Sequence, residues 1–238
     1  VVRLLYPSLR EGPDLSIDYS IALSSFGYVS YADLLAGRVD PGELRGRTVF
    51  VGATAIELND ILAAPVHRAL PGIVVQALSV ETVRQLVVEQ FPEWRRLPVR
   101  EIASQGTVNA IFRVGDELAA RFPLEPRDLG ATQRWLETEA DAARELIGRT
   151  RFPTPEPVAQ GEPGAGYPLP WSIQTWLPGT VATDEDPGGS VAFAHDLAEF
   201  INGVRAIETR GRTFSGQGRG GDLKTHDAWM ETCFEHSE

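Results

Sequence analysis

The stretch LPVREIASQGTVNAIFRVGDELAARFPL, residues 97–124, constrains this chain more than any other. Three apolar-rich runs, Val99 to Ala103, Ala110 to Val114 and Leu118 to Phe122, are separated by Ser-Gln-Gly-Thr and by Gly115-Asp116. Both separators are turn compositions, and short apolar runs bounded by turns read as strands, so the stretch predicts a small antiparallel meander. The first connection, Ser104 to Asn109, combines small hydrogen-bonding side chains with one glycine. Such a loop lets backbone amides approach an anion closely, which makes Ser104, Gln105, Gly106 and Thr107 candidate phosphate contacts. Arg121 stands near the end of the third strand between Ala120 and Phe122. An arginine on an otherwise apolar strand needs an anionic partner, and phosphate is a leading candidate.

Composition sharpens the role of Arg121. Of the 22 basic residues, Lys224 is the one lysine, so no Gly-Lys-Ser/Thr phosphate loop exists and phosphate work on the third strand falls to arginine. The formal charge is 22 minus 33, or -11, with no basic cluster, which argues against a nucleic-acid surface. Residues 1–76 contribute 6 minus 8 and the remainder 16 minus 25. The acidity of the later part suits a cationic small-molecule acceptor, and equally an ordinary solvated surface. A hydrophobic content of 42% over 238 residues supports one large domain or two smaller ones. The single cysteine, Cys233, excludes an intramolecular disulfide. No run approaches the length of a membrane span. Position 1 is Val and the one Met is Met230, which reads as a fragment at its start.

Before the meander, LSIDY (15–19) alternates like a strand, and Tyr31 to Leu35 opens a short helix followed by a turn and a second helical turn. Thr48 to Val51, ending at Gly52, is a continuous apolar run of the kind found in strands buried on both faces of a parallel sheet, and Ile73 to Val75 offers a second. Asn59 to Ile61 and Ala64 to Val66 would then lie at a strand's carboxyl end, where open α/β sheets place ligands, with Asp60 read as a cap or turn residue. LSVETVRQLVVEQF (78–91) spaces Val80, Val83, Leu86, Val87 and Phe91 as one helix. After the meander, residues 131–147 predict a helix, the prolines of 153–170 force extended chain, Trp171 to Leu177 alternates as a strand, and Val191 to Ile207 forms an amphipathic helix. His195 and Asp196 are adjacent on it and point about 100 degrees apart, so they are no facing pair. The Gly-rich 209–224 segment is a connector, and a further helix starts near Thr225.

Two families resemble these residues. QFPEWRRLPVREIASQGTVNAIFRVGDELAARFP and PTPEPVAQGEPGAGYPLPWSIQTWLPG resemble the amino-terminal lobe of the aminoglycoside phosphotransferase and choline kinase family. Upstream, SYADLLAGRV, LRGRTVFVGATA, NDILAAPV and LPGIVVQA resemble the carboxyl-terminal part of the second type of CHASE domain, an extracellular sensory module of bacterial receptors. Together they imply a mixed α+β and α/β chain: a partial CHASE-type segment over 1–77, a kinase-like nucleotide-binding lobe over 78–179, and the start of a truncated helical second lobe over 180–238. The resemblance implies ATP and magnesium as cofactors, with Arg121 in the usual lysine position and Glu139, or alternatively Glu137, orienting it. Gln174, Thr175 and Trp176 would lie at the hinge, whose backbone receives adenine. The phosphotransferase part would be cytoplasmic and the sensor segment normally extracytoplasmic.

In the phosphotransferase family, acceptor activation and magnesium binding come from a His-Gly-Asp loop with a downstream Asn and a later Asp. None occurs here: His226-Asp227 is followed by no Asn. The expectation is therefore a phosphotransferase that transfers the γ-phosphate to a small-molecule hydroxyl, is inactive in this chain, and contributes no catalytic or metal-binding residue. The alternatives are a non-catalytic sensory or ligand-binding fragment and a rearranged fusion with neither function intact.

Overall fold

A computed structural model describes residues 17–18, 20–47, 49–52, 61–62, 70–102, 108–124, 128–180, 186–213, 227, 230–231 and 233. The chain divides into two compact units, Val1–Gly189 and Ser190–Glu238.

In the first unit two short helices, α1 (Tyr31–Leu35) and α2 (Pro41–Leu44), come first among the α-helices. Pro41 opens α2 behind an Asp40 cap that accepts the Gly42 N–H at 2.8 Å. Two two-residue strands, β1 (Ile61–Leu62) and β2 (Leu70–Pro71), pair antiparallel and lead into the long helix α3 (Gly72–Gln90). Then come β3 (Val99–Glu101), β4 (Asn109–Val114), β5 (Leu118–Pro123), helix α4 (Leu129–Leu146), β6 (Pro157–Gly161) and β7 (Trp171–Thr175). The strands form one antiparallel five-stranded sheet in the order β3-β4-β5-β7-β6.

The second and third strands of the meander stand where the sequence puts them within a residue, the first ends at Glu101 with Ala103 outside the described residues, and the alternation decides what each face meets. In β4 the residues Ala110, Phe112 and Val114 are buried while Asn109, Ile111 and Arg113 are half-buried. The buried set joins Val80, Val83, Leu86 and Val87 of α3 in the main core, with Phe122, Trp171 and Ile173 from β5 and β7. Phe122 stacks on Trp171 at 4.8 Å between ring centroids and meets Phe112 and Tyr167 edge-on. The Tyr167 hydroxyl donates to the Pro123 carbonyl at 2.8 Å, so its polar tip is satisfied inside this apolar layer.

α3 serves a second core as well. Its first turns bring Val75 and Leu78 against Ile17, Ile21 and Leu70. Buried Thr82 accepts the Asp18 N–H at 3.0 Å and donates to the Leu78 carbonyl at 2.8 Å. One helix thus seals the early residues on one half and the sheet on the other.

Two sequence expectations are corrected. Ile73 to Val75 is the first turn of α3, not a strand: Val75, Leu78 and Thr82 continue the buried 3.6-residue period back beyond residue 78. Residues 49–52 form no strand, and Val49 and Val51 are 53% and 75% exposed while Phe50 packs partly against the main core. The parallel partner expected for this run is helical, and both sheets among the described residues are antiparallel. Thr48 and Asp60 lie outside the described residues, as does all of 15–19 except Ile17 and Asp18, which are in no strand.

β7 ends at Thr175, two residues earlier than expected, and β6 is an edge strand recruited from the proline-rich segment. In the second unit α5 (Val191–Arg205) starts at a Ser190 cap that accepts the Phe193 N–H at 3.1 Å, and His195 lies exposed on it. Among the described residues no helix is long and apolar enough to cross a membrane.

Candidate functional site

The sheet face opposite α3 carries the candidate site residue Arg121. Cross-strand register sets Ile111, Arg121, Ser172 and Gln160 side by side on β4, β5, β7 and β6. α4 meets the sheet at β6 and buries Thr132 and Leu136. Asp128 starts this helix by accepting the Ala131 N–H at 2.8 Å. Arg121 donates from Nη1 to Glu139 Oε2 at 3.0 Å, and the two side chains are 22% and 34% exposed. A guanidinium has five N–H donors in a planar fork, so the bond to Glu139 orients it without exhausting it.

The two glutamates left open by the sequence are separated by geometry. Glu139 faces Arg121, whereas Glu137 accepts from Gln133 Nε2 at 2.9 Å. Ser104, Gln105, Gly106 and Thr107 lie outside the described residues.

Gln174, Thr175 and Trp176 close the far end of β7. Gln174 pairs with Ala119 of β5. The Thr175 N–H donates to the Glu156 carbonyl at 2.9 Å and the Trp176 N–H to the Glu117 carbonyl at 2.7 Å. These two amides, offered to adenine by the resemblance, are therefore committed to neighbouring backbone. The Thr175 hydroxyl accepts the Glu156 N–H at 2.9 Å. What remains for a ligand is carbonyl and side chain, notably the Trp176 ring, over which the Arg113 guanidinium lies at 5.0 Å. Arg113 was missed in the sequence, although its place in the alternation of NAIFRV put it on the Arg121 side of the sheet.

Glu101 is a second feature that sequence reading passed over. It stands on edge strand β3 opposite Phe112, and burial pushes its carboxyl up to about 7. A raised carboxyl pKa means the folded state holds the proton, so this stabilisation is complete below the unfolded value and is lost as pH rises through about 7. Between pH 5 and 8 the chain should lose about 1–2 kcal/mol of stability that Glu101→Gln retains, measured by urea unfolding at each pH. Parallel pH profiles for the two proteins would show that Glu101 is not the group responsible.

Among the described residues no group of three His, Cys, Asp or Glu could hold a metal ion. The residues in place fit an anion, and none of them forms a magnesium cage.

The phosphotransferase enzyme family (APH) matches residues 99–233, and the CHASE2 domain matches residues 4–111. The two matches overlap over 99–111, and the CHASE2 match extends well beyond the 15–77 expected, through α3 and β3. No curated protein matches the sequence. Among solved structures, the GDP complex of wild-type aminoglycoside 2'-phosphotransferase-IIIa is similar at 20% identity and a TM-score of 0.50, covering 66% of this chain and 52% of that one. The GDP and kanamycin complex of APH(2")-IIia is 20% identical with a TM-score of 0.48, covering 65% and 51%. The chain spans about half the length of these structures. The likeness to the first is one of fold, and with the family match over more than half the sequence the chain belongs to the phosphotransferase enzyme family.

Proposed function

We propose that residues 78–179 are the nucleotide platform of an ATP-dependent phosphotransferase acting on a small-molecule hydroxyl. The observation that carries this reading is the Arg121–Glu139 pair at 3.0 Å, on the sheet face away from α3. In phosphoryl transfer a cation held by a helix glutamate orients the nucleotide phosphates, and an arginine fork can do so in bidentate fashion. Arg121 grips phosphate, Glu139 aims it, and residues 174–176 border the base. Because the Thr175 and Trp176 amides are committed, base recognition uses their carbonyls, the Trp176 ring and the amides that follow. The solved relatives named above were captured with GDP, which makes GTP the proper competitor to ATP. Bound magnesium would neutralise phosphate charge; its ligands are not supplied by the residues described. The 238 residues hold no His-Gly-Asp triplet, and we infer nucleotide binding without turnover. A reaction that consumes ATP favours the cytoplasm for this part.

Calorimetric titration of the chain with ATP, in magnesium and against GTP, tests the reading. Binding is expected, and Arg121→Ala should weaken it about tenfold, or ~1.4 kcal/mol. No heat from either nucleotide up to millimolar concentration would be incompatible with a nucleotide platform. Radiolabelled ATP offered with kanamycin should give no transfer.

The CHASE2 match over 4–111 favours a second reading, a sensory or ligand-binding fragment. Small-molecule binding that survives Arg121→Ala and leaves nucleotide without effect would favour it.

A further inference from the structure

The geometry points to a latch that sets the position of α4, formed by Gln133 on the helix and Gln160 on β6, whose purpose is to hold Glu139 against Arg121. Gln133 Nε2 donates to Gln160 Oε1 at 2.9 Å and to Glu137 Oε1 at 2.9 Å. A carboxylate only accepts, so Glu137 fixes which end of the Gln133 amide carries the donors. Both its N–H groups are then used, and Gln160 must present oxygen. The latch is polar, directional and occupies one edge of the helix–sheet contact.

Its location gives it leverage. Gln160, Ser172 and Arg121 form one cross-strand row over three adjacent strands. Two strand spacings are about 9.5 Å. Gln133 and Glu139 are six residues apart on α4, a rise of about 9 Å. The helix therefore runs along the row with matched spacing, tied to β6 at one point and to β5 at the other. Buried Leu136 and Thr132 fill the contact between and beside these ties, but apolar packing tolerates sliding that a two-acceptor amide does not. With the latch open, α4 can translate or rotate along the row and Glu139 parts from Arg121; with it closed, the ion pair is set before any ligand arrives. Gln133 and Gln160 are positioning residues in this scheme, because neither touches phosphate.

The inference rests on the nucleotide reading above for its function and on the two hydrogen bonds for its existence, and the experiment separates the two. In the full chain, Gln133→Leu and Gln160→Leu should each weaken ATP binding three- to tenfold. The double variant should lose no more than either single one. Added to Arg121→Ala, either substitution should cost nothing further, since the latch acts only through the Arg121–Glu139 pair. Gln160→Glu keeps the acceptor oxygen and should bind ATP within twofold of wild type. Unchanged affinity in the Leu variants, or losses that add to that of Arg121→Ala, would overturn the latch. Hydrogen exchange without nucleotide gives the independent arm: amides of residues 129–146 should exchange at least fivefold faster in Gln133→Leu while those of α3 keep their wild-type rates. Should the wild-type chain bind no nucleotide, the phosphotransferase reading fails alone; unchanged exchange across 129–146 rejects the latch in either case.

Discussion

Gly161→Ala is expected to destabilise the chain by about 3 kcal/mol, because a methyl group there has no space to occupy. A Cβ built on Gly161 would sit 2.1 Å from Cε2 and 2.4 Å from Nε1 of Trp171. The indole cannot swing aside cheaply. It is fully buried, stacked on Phe122, met edge-on by Phe91 at 5.6 Å, and held by its own N–H to the Glu162 carbonyl at 3.1 Å. Either β6 leaves β7 or the central aromatic layer is remade. A chain of this size should lose roughly 6–12 °C in Tm. Gly179→Ala is the internal control, since nothing lies within 4 Å of its Cβ position, and it should stay within about 0.5 kcal/mol of wild type. Equal melting of the two variants would mean that β6 is not seated on Trp171 as described.

The second large effect is expected at Leu86→Ala, about 3–4 kcal/mol, at a fully buried side chain in the middle of the main core. The position is informative because α3 lies inside the CHASE2 match and outside the phosphotransferase match, yet its side chains complete the phosphotransferase sheet. Tryptophan fluorescence and far-ultraviolet circular dichroism should shift together to lower urea, since Trp171 and α3 share one core. A fluorescence transition left in place while helix is lost would show the sheet standing without α3.

Much of the lobe was legible because its signals are local. The turn after Val114 delimits β4 at its end, Gly115 takes the positive φ of +64 degrees that a tight turn requires, and alternation does the rest. Arg121 stood out as a charge on an apolar strand; Glu139 and Glu137 came only from the family resemblance, and only the fold sets Glu139 against Arg121 while Glu137 accepts from Gln133. Ile73 to Val75 misled for a related reason. Three β-branched residues in a row favour strand locally, but Val75 and Leu78 bury against Ile17 and Ile21, and tertiary packing outweighs a propensity of a few tenths of a kcal/mol. The engaged amides of Thr175 and Trp176 leave no mark in residue type, because backbone pairing is indifferent to the side chain.

The order β3-β4-β5-β7-β6 leaves a strand at each side of the sheet with one partner only. Unpaired strand edges invite a second molecule to add on, the first step toward fibrous aggregates. Both margins carry deterrents. β6 begins at Pro157, which lacks a donor, and its register breaks between Pro157 and Ala159; β3 is three residues long and carries exposed Arg100. The proline-rich segment that was hardest to read as structure thus guards solubility, and replacing Pro157 would expose the chain to self-association before it cost any stability.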